Sequence, residues 1–115
     1  MNPEIEKRVV EHGEALIKFF GLSVNTNPVQ LCRKLRKIER KGNFICTQYC
    51  NGDINETEFD VKLSELKNKL AKIIPLEKVF FNTDPRGYFL KIKEEYSKDF
   101  PYRDWGGYGI IAPEL

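Results

Sequence analysis

The 115-residue sequence predicts an α+β domain in which three N-terminal helices pack on a small C-terminal antiparallel β-meander. Three observations carry that expectation. Asn-Pro pairs twice open stretches whose apolar residues recur at three- and four-residue spacing. After Pro75 the pattern changes to short runs of aromatic and β-branched residues separated by Asp, Pro and Gly. The composition, 41% hydrophobic and 31% charged, belongs to a chain that folds rather than to a disordered one.

Asn2 and Pro3 begin the first helix, because Asn can accept from free helical amides and Pro fits the first turn without forfeiting a donor. Its stripe is Ile5, Val9, Gly13, Leu16, Ile17 and Phe20, and Gly21 ends it in a left-handed turn. Asn27 and Pro28 repeat the signal for a longer helix through Leu31, Leu35, Ile38, Gly42, Ile45 and Tyr49, stopped by Asn51 and Gly52. Asn55 starts the third, with Phe59, Leu63, Leu66, Leu70, Ile73 and Ile74 inward, and Pro75 closes it.

Beyond Pro75, Lys78–Asn82 and Tyr88–Ile92 read as paired strands, with Asp84, Pro85, Arg86 and Gly87 as a type I turn between them. A polar connection over Lys93–Phe100 leads to Asp104, Trp105, Gly106 and Gly107, and then to a last strand at Tyr108–Ala112. The expected organisation is one domain over residues 1–115: helices one and two in 1–52, helix three in 53–75, and a β-rich segment in 76–115.

No apolar run approaches the roughly 20 residues that span a bilayer. Glu4, Glu6, Glu11 and Glu14 interrupt the place a signal peptide would occupy. The expected location is therefore the cytoplasm, with the chain folding alone or as a homo-oligomer. Cys32, Cys46 and Cys50 lack the even count and spacing of a disulfide framework and read as reduced thiols.

Chemistry-bearing residues concentrate in two places. The turns DPRGY and DWGGYG each bring together charge, an aromatic and glycine-freed backbone. There Arg86 or Arg103 can fork onto phosphate or carboxylate, and Tyr88, Trp105 or Tyr108 can stack on a base. The competing reading makes them bends and core plugs. The second place is Pro28–Cys50, where Arg33, Lys34, Arg36, Lys37, Arg40 and Lys41 face only Glu39. That is a local net charge of +5 in a chain whose total is +2. Arg33, Arg36, Lys37 and Arg40 recur at helical spacing and can track phosphates, although an ordinary solvated face also looks like this. With Arg86 and Lys91, Arg36 or Arg40 would complete an anion pocket.

Signs of catalysis are thin: His12 has no nucleophile motif near it, and Cys46 and Cys50 lack partners for a metal set. No catalytic residue, metal or cofactor is expected.

Four blocks in order, LRKIE at Leu35–Glu39, YCNG at Tyr49–Gly52, NTDPRGYFLKI at Asn82–Ile92 and DWGGYGIIAP at Asp104–Pro113, resemble a family of small uncharacterised bacteriophage and mobile-element proteins. The resemblance runs from about Leu31 to the C-terminus. It implies a phage setting, hence a host-cell cytoplasm, and a shared site at Arg36, Glu39, Tyr49, Asn51, Asp84, Arg86, Tyr88, Lys91, Asp104 and Trp105. Asn43 stands where the family pattern has His, which counts against acid–base chemistry there.

The leading expectation is a non-catalytic accessory protein that binds a phosphate-bearing small ligand, such as a nucleotide immune signal sequestered in counter-defence. Arg36, Arg86, Tyr88, Lys91, Asp104 and Trp105 would line its site. The alternative is an interaction protein that takes nucleic acid or a host protein on Arg33, Arg36, Lys37 and Arg40 of helix two.

Overall fold

A computed structural model describes residues 3–76 together with Arg86, Gly87, Phe89 and Leu90, the Ile5 side chain excepted. Three helices make up its body: α1 (Pro3–Phe20), α2 (Pro28–Cys50) and α3 (Glu56–Ala71). Their ends obey the local chemistry. Asn27 Oδ1 accepts from the Gln30 amide at 3.0 Å with Pro28 in the first turn. Asn55 and Glu58 form a reciprocal capping box, the Glu58 amide donating to Asn55 Oδ1 at 2.8 Å. Gly21, at φ 64°, and Gly52, at φ 79°, take the left-handed conformation that stops α1 and α2. α3 ends at Ala71, with the Ile73 and Ile74 amides turning back onto the Leu70 carbonyl ahead of Pro75. The expected cap at Asn2 lies outside the described residues.

α2 is the central element, packed against α1 on one side and α3 on the other. Gly13 meets Pro28, and the Cys32 thiol donates to the Val9 carbonyl at 3.8 Å, so α1 and α2 run antiparallel. A Cβ on Gly13 would come within 2.5 Å of the Pro28 carbonyl oxygen, so this approach requires glycine. Tyr49 stacks on Phe59 with centroids 4.1 Å apart, while Lys41 reaches Lys69, so α3 runs back along α2. The core gathers Leu16 and Phe20 of α1, Leu31, Leu35, Ile38 and Cys46 of α2, and Phe59, Leu63, Leu66 and Leu70 of α3.

The predicted β-meander is overturned: the described residues contain no strand, and the fold they form is all-helical. Arg86, Gly87, Phe89 and Leu90 have helical backbone where a hairpin turn and its second strand were expected. The physical reason is an ambiguity in the signals. The fixed φ of proline suits a first helical turn as well as a β-turn. Asp84-Pro85 therefore reads as a cap followed by Pro, like Asn27-Pro28, and a short apolar run such as Tyr-Phe-Leu has no decisive period. The expected strands at Lys78–Asn82 and Tyr108–Ala112 and the connection Lys93–Phe100 lie outside the described residues.

Phe89 is fully buried and joins the core, its ring lying over Gly42 of α2. Gly42 was read as one more position in an apolar stripe, but it is the seat for this ring.

Candidate nucleic-acid interface

Arg86 is held at the end of the bundle where α2 passes into α3. Its Nε donates to Asp60 Oδ1 at 2.7 Å and its Nη2 to Glu56 Oε1 at 3.0 Å. The guanidinium also lies 5.2 Å from the Phe59 ring centroid and 5.9 Å from that of Tyr49. The hydrogen bond to Asp60, reinforced by Glu56, raises its pKa. The fork expected to grip a ligand anion thus grips two carboxylates of α3, which fastens Arg86 to the helices. Tyr88, Lys91, Arg103, Asp104, Trp105 and Tyr108 lie outside the described residues.

The basic residues of α2 divide. Arg36 is half-buried, and burial lowers its pKa against the opposing pull of Glu39. Glu39 is the fully buried charged residue of the described core. Its signal in the sequence was its register, since it shares the inward stripe of Leu35, Gly42 and Cys46. Burial, seconded by Glu39, also pushes the Cys32 thiol up to about 11, so this cysteine stays protonated and unreactive at neutral pH.

Arg33, Lys34, Lys37, Arg40 and Lys41 are exposed. Lys69 of α3 and Lys72, its C-cap, extend their face; sequence reasoning left them out because it treated the helices one at a time. Lys34, Lys37, Arg40, Lys41 and Lys69 rim an open groove of about 390 Å³ floored by Ile38 and Ile73. A second hollow of about 390 Å³ shares Lys34 and Ile73 and continues past Lys72 to Ser23, Thr26, Asn27 and Gln30. Neither has a carboxylate among its described lining residues. Among the described residues, none of these six cations forms a salt bridge.

Lys41 and Lys69 instead face each other. The closeness and like charge of Lys69, then desolvation and the charge of Lys37, lower the pKa of Lys41. Another hollow, of about 550 Å³ beside Glu14, Lys18 and Val24, has both signs of charge at its edge and no convergent polar set.

The described residues hold no cluster of three metal-ligating side chains. Cys46 is buried and Cys50 exposed, and both are free thiols. No described helix is long and apolar enough to cross a membrane. Compared with protein-family models, curated proteins and solved structures, the chain matches none.

Proposed function

We propose that the chain is a non-catalytic interaction module that binds the phosphate backbone of nucleic acid along α2, with α3 completing the track. The observation that carries this reading is the groove of Lys34, Lys37, Arg40, Lys41 and Lys69 with Lys72 in the adjoining hollow, six cations with no acid among the described lining residues. Like charges held together across two helices cost stability when nothing neutralises them, and a bound polyanion removes that cost. Apolar Ile38 and Ile73 beneath lysine stems leave the ammonium groups standing outward at the rim.

The small phosphate-bearing ligand has weaker support. Its central residue, Arg86, is occupied by Asp60 and Glu56. A phage origin and a cytoplasmic site of action suit a nucleic-acid partner and belong to this proposal.

The test is fluorescence anisotropy with labelled oligonucleotides. Wild type should bind with affinity that falls steeply between about 50 and 200 mM salt. Lys37→Gln, Lys41→Gln and Lys69→Gln together should weaken binding strongly, while Arg86→Ala should leave it intact in the folded fraction. Undiminished affinity in the triple variant would remove the groove from the account.

A further inference from the structure

The cationic face carries one large apolar side chain that the core does not use. Phe44 is 62% exposed and lies outside the hydrophobic cluster. At 100° per residue, Arg40, Arg33, Phe44, Lys37 and Lys41 fall within an arc of about 100° on α2, with Phe44 near its middle. That arc lies opposite the inward stripe of Leu35, Gly42 and Cys46, so Phe44 occupies the most solvent-facing line of the helix. Among the described residues, packing in the core gives no reason for an aromatic there.

Resting on the reading of the groove as a nucleic-acid track, we propose that its ligand is single-stranded and that Phe44 is the platform on which one unpaired base stacks. Stacking needs an exposed π-face next to positive charge that holds the backbone. Phe44 follows Lys41 by three residues and Arg40 by four, one helical turn further along the same line. A base turned off the strand onto this ring leaves its neighbouring phosphates over the cations. In a duplex the bases are stacked on each other and offer no face to a lone ring on a helix surface. From Lys34 to Phe44 the helix axis covers about 15 Å. That suits a site of a few nucleotides, at the short end of single-strand sites.

The test compares four labelled probes by anisotropy: single strands of DNA and of RNA, the DNA duplex, and an abasic phosphodiester strand of the same length. Phe44→Ala should weaken binding to at least one base-bearing single strand by roughly 5- to 150-fold. It should leave the abasic strand and the duplex unchanged, and Phe44→Trp should restore the affinity. The variant is a surface change, and an unchanged melting curve certifies its fold. Equal binding of base-bearing and abasic strands, indifferent to Phe44→Ala, would overturn the stacking while leaving the cationic track standing. Failure of wild type to bind any probe would overturn both. A concentration-dependent dimer dispersed by Phe44→Ala would assign the ring to a second copy of the chain and would also overturn the proposal.

Discussion

Replacing Gly42 by Ala should have opposite effects in two backgrounds, because the consequence depends on one ring. A Cβ built on Gly42 falls 2.7 Å from Phe89 Cε1 and 3.1 Å from its Cγ, well inside contact distance. The ring is fully buried and cannot swing into solvent without leaving the core. Forcing it aside should cost about 1–3 kcal/mol. Gly→Ala within a helix recovers about 1 kcal/mol of propensity. In wild type the clash outweighs the gain, and Gly42→Ala is net destabilising.

Phe89→Ala alone should cost about 3–5 kcal/mol, the usual loss for a buried phenyl group and the space it vacates. At about 4 °C per kcal/mol, near the boundary between smaller and larger domains, that is roughly 12–20 °C of melting temperature. With the ring removed, Gly42→Ala has nothing to strike, and it should stabilise the Phe89→Ala protein by about 1 kcal/mol. Denaturant or thermal unfolding of all four proteins closes the cycle. Additive effects, or a Gly42→Ala that stabilises wild type, would mean that Phe89 does not lie on α2.

Three further outcomes follow from the same geometry. Arg86→Ala should lower the melting temperature, and Asp60→Asn should cost far less in that background than in wild type; equal costs would break the link between them. Lys69→Gln should raise the melting temperature by relieving its contact with Lys41, the sign expected when a binding face is kept at the expense of stability. An unchanged or lower value would deny the repulsion. Cys32 has a folded pKa raised from 9.0 to about 11, so the native state holds its proton more tightly than the unfolded chain. Its contribution is complete below pH 9 and is lost as pH rises through about 11. Unfolding curves across that window should slope downward in wild type and less so in Cys32→Ala; matching slopes would refute the shift.

The helices were legible because each carries redundant signals. α2 has a capping Asn, a Pro in its first turn, one inward stripe and an Asn-Gly stop, and its observed bounds agree with all four. The C-terminal part was misread at Arg86, Gly87, Phe89 and Leu90, where every signal served two structures. Proline fits a turn or a helix start, and an apolar run of three residues has no period to measure.

Of the four basic residues expected to form a face on α2, Lys37 and Arg40 line the groove, Arg33 is exposed outside its lining and Arg36 is half-buried. What the sequence hid was the partner helix, since Lys69 and Lys72 join Lys41 and Lys34 only through antiparallel packing, and no local pattern encodes that register. Phe44 escaped notice for the opposite reason. The stripe was read for inward residues, and an aromatic on the outward line is visible only when the other side of the wheel is drawn.

The salt dependence of nucleic-acid binding tests the central claim most directly. If all six cations of the groove and its adjoining hollow engage phosphates of a single strand, log K should fall against log salt with a slope of about −4. Substituting Lys37, Lys41 and Lys69 by Gln should make the slope shallower by about 2, and any residual binding weaker at every salt concentration. Affinity indifferent to salt, or a slope that survives those three substitutions, would contradict a phosphate track along α2 and α3.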